Sequence, residues 1–247
     1  MEINELVSVV VEGPADKEKC PFCHKKAHDF PGKKRMKPST KVVSDPDALG
    51  VQYLEGAKES YYATAAHHLI SAIQCYSRVK RLVRMGSLIG YDINNKINGI
   101  GLPTVWNPYS GQNYGDIQDE KEKQKIAFRM MKKAKGQWHV GHHAFEINLP
   151  SRWVDESGED EVCHIVSYDT TVIQRLVELT LCFAMIDICK DNDEDAGSVL
   201  KDTMNDYSNE IKEHLEAFKG STPWKSAPYF VSERAFEYAV AAKGGKI

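Results

Sequence analysis

The chain has 247 residues, 42% of them hydrophobic and 27% charged. That is room for one large domain or two small ones, with a core that needs no disulfide staples. The six cysteines lack a framework spacing, so a disulfide-rich scaffold is excluded. The most apolar stretch, Val172–Cys189, carries Arg175, Glu178 and Asp187, which reads as a buried or interface helix and excludes a membrane span there. The formal net charge of −3 conceals a division: residues 1–152 hold 23 Lys/Arg against 16 Asp/Glu, and residues 153–247 hold 9 against 19. The basic part suits a polyanionic partner.

In chain order, Met1–Pro14 carries Glu2, Glu5 and Glu12 and no Lys or Arg, the wrong charge for a signal peptide. The valine-rich run Glu5–Glu12 predicts a short strand. Cys20-Pro21-Phe22-Cys23 is one half of a zinc knuckle, and His24 or His28 would be a third ligand. No second C-x-x-C follows, and the other four cysteines sit in apolar surroundings and read as small core residues. Pro31–Asp47 is a loop rich in lysine and proline.

Ser71–Gly86 is expected to be helical, with Ile73, Tyr76, Val79, Leu82 and Val83 on one face and Arg78, Lys80, Arg81 and Arg84 on the other. Asn98-Gly99 is a tight-turn dipeptide whose Gly99 tolerates positive φ, and Ile100 and Leu102 then alternate like a strand. Trp106–Asp116 reads as a loop. Asp119–Lys135 predicts a helix; from Lys121 it carries seven basic residues and one acid, with Lys125, Arg129, Lys132 and Lys133 available to phosphates. Residues 153–247 look all-helical, with Thr171-x-x-Gln174 as a capping box and further helices through Leu200–Phe218 and Ser232–Lys243.

The titratable residues of most interest are His67-His68 and His139-x-x-x-His143. Neighbours on a strand point to opposite faces, so an adjacent pair suits two tasks, metal ligation and proton transfer. Residues four apart share one face of a helix, so His139 and His143 would bind one ion. A metalloprotease is excluded because Val140 stands where its helix motif needs glutamate.

Ala66-His67-His68, Asn98-Gly99-Ile100-Gly101-Leu102-Pro103 and His139-Val140-Gly141-His142-His143 stand in this order. Over roughly residues 60–150 the chain resembles the AHH nucleases, a branch of the HNH/endonuclease VII (His-Me finger) superfamily. The resemblance implies an α+β, mostly helical fold with a ββα-metal core, helical insertions and a helical C-terminal subdomain. It divides the chain into 1–58 with the knuckle, a nuclease core at 59–152, and an acidic helical part at 153–247. It implies His67, His139 and His143 as ligands of one divalent ion. His68 is then the general base, and Asn98 is a catalytic-site residue that orients His68 or shapes the metal loop. His142 is a metal or phosphate ligand. The separations of about 30 residues before Asn98 and about 40 after it are longer than a minimal finger and require inserted helices.

Imidazole ligation favours zinc or nickel by softness, while members of the family often use magnesium or manganese. The expected activity is a metal-dependent endonuclease, a non-specific DNase that grips the DNA backbone through Arg78, Arg81, Arg84 and the basic helix. The family context implies a bacterial antibacterial toxin, made in the cytoplasm and delivered to a target cell without a signal peptide. A cognate immunity protein and a secretion adaptor, as in type VI systems, are the partners that go with it. Two other readings stand beside it: a non-catalytic, zinc-stabilised nucleic-acid- or protein-binding module, and a metal-dependent RNase.

Overall fold

The computed structural model describes residues 17–26, 28–30, 37–51, 62–105, 114–140, 143–154, 163–184, 189 and 194–247. The expected strand at Glu5–Glu12, most of the loop at 106–116 and His142 lie outside these residues. The elements are β1 (Tyr62–His68), α1 (Lys80–Ile89), β2 (Gly99–Val105), α2 (Glu120–Ala134), β3 (Ile147–Pro150), α3 (Ser151–Val154), β4 (Cys163–Val166), α4 (Tyr168–Ala184), α5 (Glu194–Glu216) and α6 (Glu233–Lys243). The fold is α+β, with two small antiparallel sheets, β1–β2 and β3–β4. Among the described residues no helix is long and apolar enough to cross a membrane.

The chain forms two compact units, each assembled from three separated segments. The first comprises Met1–Ala48, Ile70–Asn98 and Val172–Asn209; the second comprises Leu49–Leu69, Gly99–Thr171 and Glu210–Ile247. Each unit therefore draws on all three of the consecutive regions that the sequence suggests.

In the first unit, α1 turns Leu82, Val83, Met85 and Leu88 inward, and Leu200, Met204 and Tyr207 of α5 are buried in the same periodic way. The helix expected over Ser71–Gly86 is shifted: residues 72–75 are turns, a 3-10 turn covers Tyr76–Arg78, and α1 begins at Lys80. Ile73, expected on the apolar face, is half exposed.

In the second unit, β1 and β2 pair with His67 opposite Ile100 and His68 opposite Gly99. Gly99 starts the strand and is not at positive φ. What it supplies is room: a Cβ there would stand 2.8 Å from Leu49 Cβ, closer than real side chains allow. Helix α2 is capped by Asp119, whose carboxylate accepts the Lys121 N–H, a normal N-cap. Its inner face, Ile126, Ala127, Met130 and Met131, packs with Trp138, Leu149, Phe218 and Phe230. Each large apolar side chain buried this way is worth about 1.5–3 kcal/mol. α6 is capped by Ser232, whose hydroxyl accepts the Ala235 N–H.

Residues 153–247 are not all-helical. β4 lies at Cys163–Val166 and pairs with β3, Ile147 opposite Val166 and Pro150 opposite Cys163. Its sequence shows no strand alternation because three of its four residues are exposed. α4 starts at Tyr168, before the capping box expected at Thr171. Its first turn is held by Ser167, whose hydroxyl accepts the Thr170 N–H at 3.1 Å while its carbonyl accepts the Thr171 N–H at 3.0 Å.

Candidate metal centre

Three of the predicted residues converge in the second unit. His67 Nδ1 lies 3.2 Å from His139 Nε2, and His139 Nε2 lies 3.0 Å from His143 Nε2. All three ligand nitrogens fall within 4.8 Å of one another.

The backbone accounts for this convergence. His67 is the penultimate residue of β1. Residues 137–140 form no helix, and Gly141 and His142 are outside the described residues. The shared helix face expected for His139 and His143 is therefore not what brings them together. The His139 N–H donates to Pro103 O at 2.7 Å and Thr104 Oγ1 donates to His139 O at 2.9 Å, which docks the segment along β2. Just before it, the fully buried Gln137 donates to Tyr229 O and accepts the Val231 N–H, each at 2.8 Å. The Ser232 hydroxyl bonds Trp138 O.

Two residues that sequence reasoning missed set the tautomers. Tyr168, at the start of α4, donates its hydroxyl proton to Leu69 O at 2.8 Å. The same oxygen stands 3.2 Å from His67 Nε2. With the tyrosine proton committed to the carbonyl, Nε2–H must be the donor and the lone pair of His67 is left on Nδ1, the atom that faces the other imidazoles. Asp169 Oδ1 is 3.5 Å from His143 Nδ1, an electrostatic contact that favours a proton on Nδ1 and leaves Nε2 free. Polar partners of this kind behind ligating histidines orient the ring and raise its basicity as a ligand. Nothing in the sequence near Tyr168-Asp169 points to the histidines; the only local signal is the cap at Ser167.

Burial, with the neighbouring imidazoles adding to it, holds His67 well below the usual histidine value and pushes His139 down to about 4. Both are neutral near pH 7. Three imidazole nitrogens packed this closely are placed to share one cation. The donor set fits a divalent transition metal.

His68, the last residue of β1, is buried at 8% exposure and is not one of the three clustered nitrogens. Asn98 is engaged elsewhere, which bears against its orienting His68 and leaves the loop-shaping alternative open. It is fully buried; its Oδ1 accepts the Ile70 N–H at 2.7 Å and the Ser208 hydroxyl at 3.1 Å, and its Nδ2 donates to Ile70 O at 3.1 Å and Ile93 O at 2.8 Å. Those four bonds use the whole capacity of a side-chain amide. Asn98 therefore clamps the backbone just after the histidine pair and has nothing left with which to orient His68.

The predicted phosphate-binding residues separate into two groups. Lys125, Arg129, Lys132 and Lys133 lie along α2 with Lys125, Lys132 and Lys133 outside its buried face, and Arg78 is exposed. Arg81 and Arg84 are buried. Arg81 donates to Pro21 O at 2.9 Å, and Arg84 donates to Lys17 O at 3.0 Å and to Lys19 O. These two guanidiniums hold the N-terminal turn and do not face a nucleic acid.

Of the expected knuckle residues, Cys20, Cys23 and His28 come together in the first unit, and the fourth member of their cluster is Cys189. His24 is exposed and turned away, with Nε2 3.1 Å from Arg81 Nη2. Cys189, expected in the core, joins the cluster instead; its distance along the chain gives no spacing signal.

In comparisons with known proteins, no family model, no curated protein and no solved structure matches this chain significantly.

Proposed function

We propose that this protein is a metal-dependent endonuclease of the AHH type, hydrolysing phosphodiester bonds of DNA. The observation that carries the reading is the convergence of His67 Nδ1, His139 Nε2 and His143 Nε2 within 4.8 Å, from the motifs on which the family resemblance rests. A catalytic centre keeps a ligand position open, and three imidazoles without a fourth protein ligand among the described residues match that plan.

In this reading β1 and β2 are the strands of a ββα-metal finger, and His139 and His143 stand in for the ligands that such a finger carries on its helix. His67, His139 and His143 would hold a divalent ion, which would supply Lewis acidity for phosphodiester hydrolysis. His68 takes the proton from the attacking water, a role suited to an imidazole at neutral pH. Tyr168 and Asp169 keep the lone pairs of His67 and His143 on the metal-facing nitrogens. Lys125, Arg129, Lys132 and Lys133 bind phosphates without reading sequence. The same resemblance supports an antibacterial toxin role with a dedicated immunity protein.

The test is plasmid cleavage across Mg²⁺, Mn²⁺, Ni²⁺ and Zn²⁺, with total RNA in parallel and His68→Ala as control. Metal-dependent nicking that His68→Ala abolishes is the expected result. Degradation of RNA alone would move the substrate to RNA. An intact plasmid and intact RNA with every metal would overturn the nuclease assignment.

A further inference from the structure

We propose that Cys20, Cys23, His28 and Cys189 form a closed structural zinc site of Cys3His type, in which Cys189 completes the knuckle that the N-terminal segment begins. The site lies wholly within the first unit and is independent of the nuclease reading.

The knuckle is built by local backbone bonds. The Cys20 N–H donates to Lys25 O and the His24 N–H to Cys20 O, both at 3.0 Å. Lys19 and Lys26 form a bridge across the turn. His24 takes φ +59°, the left-handed conformation that lets the chain reverse after Cys23. Phe22 is buried and stacks on Phe30 at 5.4 Å between centroids. The two sulfurs are thus placed by the fold of the turn.

The remaining ligands arrive already oriented. His28 Nδ1 lies 2.8 Å from Asp29 O; a carbonyl only accepts, so Nδ1 carries the proton and Nε2 presents its lone pair. That Nε2 is 3.1 Å from Cys23 Sγ. Cys189 Sγ is 3.6 Å from Cys20 Sγ, and all four ligand atoms fall within 4.8 Å of one another. A tetrahedral zinc with Zn–S near ~2.3 Å and Zn–N near ~2.0 Å has edges of about 3.8 Å between sulfurs and about 3.5 Å between sulfur and nitrogen. The observed separations bracket those edges.

The chemistry selects the ion. Three thiolates and an imidazole are soft and tetrahedral, which favours zinc over magnesium or calcium. Four protein ligands leave no open position, the mark of a structural site. A disulfide between Cys20 and Cys189 would leave Cys23 and His28 without a common partner, and all the described cysteines are free thiols. Three thiolates on Zn²⁺ leave one net negative charge. Arg81 and Arg84 are pinned to the carbonyls of Lys17, Lys19 and Pro21 on the same turn, so the two guanidiniums withdrawn from phosphate binding offset that charge.

The full chain carrying His139→Ala and His143→Ala, purified reduced, isolates this site from the histidine centre. Titration with Co²⁺ should saturate at one equivalent, with thiolate-to-cobalt charge transfer in the near ultraviolet and intense tetrahedral d–d bands. One equivalent of Zn²⁺ should displace it. Adding Cys189→Ser should cut the charge-transfer intensity by about a third and weaken zinc binding by tenfold or more. An unchanged spectrum in Cys189→Ser, or a weak octahedral spectrum in its parent, would overturn the site. If Cys189→Ser does not fold, zinc X-ray absorption of the parent decides: a shell of three sulfurs and one nitrogen upholds the proposal, and two sulfurs or fewer refutes it. No cleavage is measured, so failure here leaves the nuclease assignment to its own experiment.

Discussion

The two clusters of metal-ligating side chains in this chain are built on different plans. The histidine centre has three nitrogen ligands delivered by a strand end and by a segment docked along β2. The aromatic and acidic partners behind two of those rings come from the start of α4. The cysteine site has four ligands, three of them sulfur, two of them fixed by a single turn. An all-nitrogen set with no fourth protein ligand among the described residues would suit exchange of water and substrate, whereas a sulfur-rich closed set suits permanence. The local sequence differs in the same direction. The knuckle needs only short-range bonds for two of its ligands. The histidine centre relies on Gln137, Thr104 and Tyr168, residues far apart in the chain.

Four experiments test this contrast, from the largest effect to the smallest. His68→Ala should lower plasmid cleavage by ~10²–10⁴-fold and leave the metal content of both clusters unchanged by elemental analysis. Loss of histidine-bound metal in that variant would make His68 a ligand and redraw the centre.

The second concerns pH. His139 is pushed down to about 4 in the fold, against about 6.5 in an unfolded chain. Between those values the unfolded state binds the extra proton, so stability falls as pH drops from about 6.5 to about 4. In metal-free, reduced protein His139 alone contributes about 3 kcal/mol to that loss, and His67 acts in the same direction. Urea unfolding across this window should show it, and His139→Gln should flatten the slope. An equal slope in the variant would place the acid sensitivity elsewhere.

Third, Tyr168→Phe removes the oxygen that accepts from His67 Nε2. Metal affinity at the histidine centre should fall by ~10-fold or somewhat more, with the cysteine site unaffected; isothermal titration of both metals reads the difference. Last, Lys125→Gln with Arg129→Gln and Lys133→Gln should reduce the salt dependence of DNA binding, by close to one unit of slope for each phosphate that is no longer neutralised. Arg81→Gln should instead destabilise the first unit, because its guanidinium is bonded to protein. If Arg81→Gln altered only the salt slope, its buried placement would be refuted.

How much of this is legible in the sequence follows from the range of the forces involved. Helix α2 is readable because its cap, Asp119, and its inner stripe, Ile126 to Met131, are encoded within one stretch. The strand through Ile100 and Leu102 is readable for the same reason. The three metal-facing histidines can be named from their residue types and order, but the reason they meet cannot: the spacing of His139 and His143 suggests a helix, and the docking of His139 on Pro103 and Thr104 is a tertiary contact. Asn98 stands out in the sequence while its role does not, because its partners Ile93 and Ser208 are invisible to local pattern. Arg81 and Arg84 look like a solvated basic face, yet their hydrogen bonds go to carbonyls some sixty residues earlier. Cys189 offers no spacing at all.

The discontinuity of the two units carries a consequence for how the chain is made. Cys20 and Cys189 are 169 positions apart, and at ~5–20 residues per second of synthesis the first cysteine waits on the order of ten seconds or more for its partner to be translated. Tyr168 and Asp169 likewise emerge after every histidine they orient. A nascent chain cut off near residue 152 holds His67, His139 and His143 without the Tyr168 and Asp169 side chains that aim them. Both units need segments beyond Thr171, so neither centre can be finished until those segments have been translated.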